Sequence, residues 1–246
     1  MKTIIVIPAR YQSKRFPGKP LKKILGKELV IWVAEACSSV FGKNFVYIAT
    51  EDKKIAHKSK DYGFKYVFTS KHCMTGTDRV AEVAKKIKSD IYVNVQGDEP
   101  LVKYKDIKKV IKYKLKYPNH IVCGFTKIQK NENPSNKNIP KVVLNGSNEL
   151  IYISRSLIPG SKNKLKKDKN VFLKQVCIYA FNRKELKQFS SFKRKPLIEK
   201  IEDIEILRFF EFNKKIKMVE TSSGSAAVDE KNDIKKVENL IKKNFK

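Results

Sequence analysis

The stretch Ile4 to Leu21, IIVIPARYQSKRFPGKPL, constrains this chain more than any other. Four apolar β-branched residues, Ile4 to Ile7, predict a short strand buried on both faces, as inside a parallel sheet. A cationic loop follows at once. It carries Arg10, Lys14, Arg15 and Lys19, is stiffened by Pro8 and Pro17, and has Gly18 where backbone must approach a ligand closely. Ligands bind where strands of an open α/β sheet end; guanidinium forks fit phosphate oxygens and lysine supplies a point charge. The loop therefore reads as a seat for polyphosphate. Neither GxGxxG nor GxxxxGKS/T occurs in it, so it is neither of the common phosphate loops.

The 246 residues suffice for a sizeable core, and no linker, repeat or low-complexity block divides them, so one domain spanning 1–246 is expected. A formal charge of +29 raises the question of nucleic acid. Yet the cations are 47 lysines and only 7 arginines, spread through every segment, and no helix-turn-helix, zinc-finger or RNP pattern occurs. This argues for a compositional habit, with loose polyanion binding but no specific nucleic-acid partner. Cys37, Cys73, Cys123 and Cys177 form no CxxC pair, which disfavours a zinc site or disulfide framework. Cys37 and Cys123 sit among apolar neighbours as core filler. Without a signal-peptide layout or a membrane-spanning apolar run, the expectation is a cytoplasmic protein with no membrane partner.

Strand and helix patterns alternate through the first half. A helix is expected over Lys27–Val40 and closed by Gly42; strands over Phe45–Ala49 and Tyr66–Thr69 flank a short helix capped by Thr50-Glu51-Asp52. Thr75-Gly76-Thr77 opens a helix over Asp78–Ile87, offering N–H and hydroxyl donors to an anion or ribose, or else serving as a plain cap. The strand in Asp90–Pro100 (DIYVNVQGDEP) runs into Gln96-Gly97-Asp98, projecting a carboxylate from a strand end. Asp98 is thus a candidate magnesium ligand, because Mg2+ needs few protein oxygens and takes the rest from phosphate and water. After the helix Tyr104–Lys116 come strands over Ile121–Thr126, Lys141–Leu144, Asn148–Ser154 and Phe172–Phe181, with a polar, mobile loop at Asn131–Asn138. An amphipathic helix over Lys200–Phe212 is expected to point Ile201 and Ile204 inward. A strand over Lys217–Thr221 and a helix over Asp233–Lys243 close the chain. The fold class is α/β: a Rossmann-like mixed, mostly parallel sheet flanked by helices, with an added β layer.

IPAR with Tyr11, Ser13, Arg15 and the following PGKPL, together with NVQGDEP at 94–100, resembles the nucleotide-sugar cytidylyltransferases, specifically the 3-deoxy-manno-octulosonate (Kdo) cytidylyltransferases. Thr75 to Arg79 resembles that family's SGT-E/D-R element, KVVL at 141–144 its VKVVLD, YISRSLIP its YFSRxxIP, and Ala227-Val228-Asp229 its GVD. The resemblance implies transfer of CMP from CTP to the anomeric hydroxyl of a 2-keto-3-deoxy sugar acid, with magnesium as cofactor and a homodimer as the assembly. It implies nucleotide contacts from Pro8, Ala9, Arg10, Lys19, Thr75, Gly76, Thr77, Arg79 and Gln96, and catalytic roles for Arg10, Arg15, Lys19 and Asp98. Asp98 and Asp229 become the metal carboxylates, and Arg155, Gln175, Tyr179, Glu202 and Glu205 the sugar contacts. Residues 1–120 correspond to the nucleotide-binding half, 121–215 to a β-rich sugar and dimer region, and 216–246 to a closing strand and helix. Cys73 and Gln175 stand where the family usually has histidine, and Ala227 replaces glycine. Cys73 and Gln175 keep open a different 2-keto acid acceptor, amino-Kdo or sialic-type; from another class, a non-catalytic protein would use the basic loop to bind nucleotides or polyanions.

Overall fold

The computed structural model describes residues 1–12, 16–160, 162, 171–222 and 226–244. The chain runs through β1 (Thr3–Pro8), a hairpin of β2 (Lys23–Ile24) and β3 (Lys27–Glu28), α1 (Leu29–Phe41), β4 (Val46–Thr50), α2 (Lys53–Asp61), β5 (Lys65–Phe68), α3 (Gly76–Lys86), β6 (Ile91–Val95) and α4 (Tyr104–Lys116). Its second half holds β7 (Ile121–Lys127), β8 (Lys141–Leu144), β9 (Leu150–Ser154), β10 (Leu173–Phe181), α5 (Arg183–Phe189), α6 (Leu197–Glu202), a 3-10 segment over Glu205–Phe212, β11 (Ile216–Glu220) and α7 (Lys231–Asn244).

Across the main sheet the order is β11-β7-β10-β6-β1-β4-β5. Every neighbouring pair is parallel except those that β10 makes with β6 and β7. The α/β class and its mostly parallel sheet are as the sequence predicts. All six residues of β1 and all five of β6 are buried, which explains their unbroken apolar runs. Alternation decides which side each serves. Ile4 and Val6 join Val80, Val83 and Tyr92 on one face, whereas Ile5 and Ile7 join Val30, Val33, Ile107 and Val110 on the other. A third small core of Phe16, Ile24, Leu29, Val228, Val237 and Ile241 fastens α7 across the hairpin and the first loop.

Three expectations need correction. The β-rich region adds no separate layer, since β8 pairs with β10 and β9 with β8, branching from the main sheet. Helix α1 starts at Leu29, because Lys27 and Glu28 pair with β2. The helix expected over Lys200–Phe212 is broken at Asp203, which adopts the left-handed conformation (φ 50°, ψ 47°) and ends α6. The break turns Ile201 outward, leaving it 71% exposed, while Ile204, Leu207 and Phe209 stay buried.

Candidate active site

The chemistry expected from the sequence gathers where β1 and β6 end side by side. Both are parallel, so Pro8-Ala9-Arg10 and Gln96-Gly97-Asp98 leave the sheet at the same edge. Gly97 permits their approach: a Cβ there would lie 2.8 Å from the Pro8 carbonyl oxygen. The loop after β1 closes on itself, with Gly18 at φ 68° donating its N–H to the Tyr11 carbonyl (2.9 Å). A short 3-10 turn over Lys19–Leu21 follows, with Pro20 buried. This aims Lys19 across the gap.

Lys19 Nζ donates to Asp98 Oδ2 at 2.6 Å and to the Val228 carbonyl at 2.9 Å. The Val228 N–H in turn donates to the Asp98 carbonyl at 2.9 Å. One ammonium therefore ties together the first loop, the end of β6 and the segment before α7, where Asp229 is the residue next to Val228. The Val228 carbonyl is a partner that no side-chain motif announces. Arg10 is exposed at the mouth. Arg15 lies outside the described residues.

Facing this cluster is the first turn of α3. Thr75 and Asp78 form a reciprocal capping box, and Gly76 packs so closely that a Cβ would meet the Gln96 amide and the Pro8 ring at 3.1 Å. Glu205 accepts from the Thr77 N–H and from Gln96 Nε2, both at 2.9 Å. Burial pushes its carboxyl above the ordinary range. Arg79 turns away from the opening: its guanidinium meets Glu51 at 2.5 Å and donates to Thr69 Oγ1 at 2.6 Å, while Glu51 accepts from the Tyr11 N–H. His72 is exposed, and the Cys73 thiol lies 3.4 Å from Glu82.

On the acceptor side, Arg155 spends its fork on main-chain carbonyls, Nε to Glu202, Nη2 to Asp203 and Nη1 to Lys137. It thereby caps the carbonyl end of α6 and tethers the polar loop, whose Asn136 carbonyl is also held by buried Lys141. Glu202 is taken up by Ser154 Oγ (2.6 Å) and the Arg155 N–H (2.8 Å). Gln175 Nε2 donates to the Tyr179 hydroxyl at 3.1 Å, both side chains buried in β10. Burial, with Cys177 and Glu205 nearby, holds that phenol far above its ordinary pKa. A Lys195 hydrogen bond keeps the Asp203 carboxyl low, with Arg155 and Arg10 adding to the effect.

A family model described as cytidylyltransferase matches residues 4–216. The chain belongs to that family. A 3-deoxy-manno-octulosonate cytidylyltransferase of Thermodesulfovibrio yellowstonii is 37% identical over 98% of both chains. An 8-amino-3,8-dideoxy-manno-octulosonate cytidylyltransferase of Shewanella baltica is 35% identical over 98% of this chain and 99% of its own. Among solved structures, a CMP:2-keto-3-deoxy-manno-octonic acid synthetase complexed with CTP superposes with a TM-score of 0.90, at 33% identity, over 99% of this chain and 100% of that one. An inositol-1-phosphate CTP transferase of T. maritima, at 17% identity, 99% and 96% coverage and a TM-score of 0.68, shares the fold.

In this cytidylyltransferase the sequence motifs mark the two strand ends, but two contributors carry no motif of their own. Phe16 is buried, and its apolar character in an otherwise cationic loop is the signal that the loop has an anchor. Arg208, which no motif singles out, is fully buried between Glu199 and Asp78.

Proposed function

We propose that this cytidylyltransferase transfers CMP from CTP to the anomeric hydroxyl of 3-deoxy-D-manno-octulosonate, releasing pyrophosphate. The convergence of Lys19, Asp98 and Val228 carries the reading, joined to full-length similarity to enzymes named for that reaction. Arg10 and Lys19 neutralise the triphosphate and the pyrophosphate as it departs. Pro8, Ala9 and the Thr75–Thr77 turn wall the nucleoside, with Gln96 at the junction between nucleotide and acceptor. Glu205, Gln175 and Tyr179 lie toward the acceptor. Glu202 and Arg155 shape that side through main-chain contacts.

A magnesium ion fits the donor set. Asp98 and Asp229 adjoin through Val228, and no cluster of three or more His, Cys, Asp or Glu side chains occurs among the described residues. Two carboxylates, with phosphate oxygens and water completing the shell, suit Mg2+. When bound, the ion supplies charge neutralisation and polarises the α-phosphorus. Lys19 shares Asp98 and fixes the orientation of its carboxylate. A homodimer is part of the same reading: Leu197 and Ile201, each 71% exposed and four residues apart on α6, leave apolar side chains open to a second copy. A CTP-dependent reaction suits the cytoplasm, and no helix among the described residues is long and apolar enough to cross a membrane.

An acceptor carrying an 8-amino group is a second reading, favoured by the Shewanella baltica relative and by the neutral amide of Gln175. The test is pyrophosphate release from CTP and Mg2+ with 3-deoxy-manno-octulosonate, its 8-amino analogue and a sialic acid, for the native chain and Asp98→Asn. Turnover with the first acid, abolished by the substitution, is expected. Preference for the amino analogue would transfer the assignment to it; silence with every acid would overturn the reaction.

A further inference from the structure

The 3-10 segment after α6 grips the first turn of α3 at two points. Glu205 accepts from the Thr77 N–H. One turn later Arg208 reaches Asp78: Nη1 to Oδ1 at 2.7 Å and Nη2 to Oδ2 at 3.4 Å. On its other edge Arg208 holds Glu199 through Nε (2.6 Å) and Nη2 (2.7 Å), with the guanidinium 3.8 Å over the Phe189 ring. Arg208 and Glu199 have no solvent exposure. Asp78 Oδ2 simultaneously accepts from the Thr75 N–H and hydroxyl, both at 2.8 Å.

One buried cation thus faces two carboxylates, and the excess negative charge sits on Asp78, where the N-terminus of α3 offsets it. Such a group does not relax into other rotamers without leaving a charge unpaired in the core. We propose that the Glu199–Arg208–Asp78 bridge is a positioning device for the reaction, holding the Thr75–Thr77 turn and Gln96 in register with the acceptor-side segment. Asp78 is the member that transmits. It alone touches both Arg208 and the turn, whereas Glu199 anchors Arg208 from the far side. The neighbouring Arg79 extends the brace through Glu51 to the Tyr11 N–H, so the same helical turn also steadies the first loop. The device rests on the reading that the turn contacts CTP.

The test compares Asp78→Asn with Glu199→Gln. Each replaces one carboxylate of the pair by an isosteric amide, and an asparagine at 78 still has an oxygen for the Thr75 N–H. Thermal melting should fall comparably in both. CTP affinity, titrated calorimetrically with Mg2+ and no acceptor, should weaken about tenfold only in Asp78→Asn, and its kcat/KM should fall roughly 10- to 100-fold, as expected when a binding turn shifts by a fraction of an ångström. Arg208→Lys, which keeps a cation but cannot span both acids, should reproduce the loss and serves if Asp78→Asn does not fold. Equal loss of CTP affinity in Glu199→Gln, or native affinity in Asp78→Asn and Arg208→Lys, would overturn the proposal. A native chain that binds CTP yet transfers to no acid would sink the assigned reaction and leave the brace standing; one that does not bind CTP would sink both.

Discussion

Gly97→Ala isolates the closeness of the two strand ends from every other property of the site. Gly97 does not need positive φ, so its backbone accepts alanine without conformational strain. The added methyl would meet the Pro8 carbonyl oxygen at 2.8 Å and Ile7 Cγ2 at 3.3 Å. Ordinary contact begins at 3.4 Å, so the two chains must separate by about 0.6 Å. Neither side yields cheaply, because Pro8 lies in a fully buried strand whose next residue donates its N–H to Ala49. Overpacking of this kind costs about 1–3 kcal/mol of stability. The same displacement moves Asp98 away from the loop that carries Lys19, so kcat/KM should fall roughly 100-fold, more than a stability loss alone gives a folded enzyme. Denaturant unfolding measures the first effect and steady-state pyrophosphate release the second. Native stability together with native kcat/KM would refute the argument that the backbone contact sets the site.

Lys19→Met removes the ammonium but keeps the stem, and kcat should drop roughly 100- to 1,000-fold in the same assay, with Lys19→Arg restoring little because a fork cannot replace a point donor between Asp98 and the Val228 carbonyl. The buried Cys37 and Cys123 thiols, pushed up by desolvation, should resist iodoacetamide at pH 8 in the native protein and react on unfolding, while Cys73, pushed up to about 12 by burial and Glu82, should react slowly; mass spectrometry reads all three. Since these thiols bind their protons more tightly when folded, their contribution to stability is fully present at neutral pH and is lost as pH rises above about 9, which denaturant midpoints at graded pH would register. Arg155→Lys should cost about 1–3 kcal/mol by releasing α6 carbonyls and the Lys137 loop, whereas Arg194→Lys, at an exposed position, should stay within about 0.5 kcal/mol on thermal unfolding.

The strands and helices of the first half were legible because each binds itself to a local signal: the apolar runs of β1 and β6, the Gly42 stop, the Thr75 cap. Helix α4 begins and ends where its pattern does. The 3-10 segment was not legible, because Glu202, Ile204, Glu205 and Arg208 satisfy helical spacing whether or not the chain breaks at Asp203. What breaks it is tertiary: Arg155 takes the carbonyls of Glu202 and Asp203, and Arg208 draws the following turn onto Asp78. The candidate site was legible as two strand ends and a basic loop. Which polar groups meet across it was not, since the Val228 carbonyl carries no residue-type signature and the Thr77 N–H, expected as a donor, does not announce Glu205 as its partner.

Composition concealed the brace as well. With 47 lysines to 7 arginines, the chain uses lysine wherever a surface point charge is enough, and charge counting then treats every cation as one of many. Three of the arginines sit where geometry is demanded. Arg79 joins a carboxylate, a hydroxyl and a carbonyl; Arg155 spans three carbonyls; Arg208 spans two carboxylates over an aromatic ring. An ammonium offers three donors from one point and cannot bridge partners on opposite edges, so compositional drift toward lysine meets a physical barrier at these positions. These three arginines lock the turn of α3 and the end of α6 around the opening between nucleotide and acceptor, whereas exposed Arg10, Arg183 and Arg194 face no such demand for geometry.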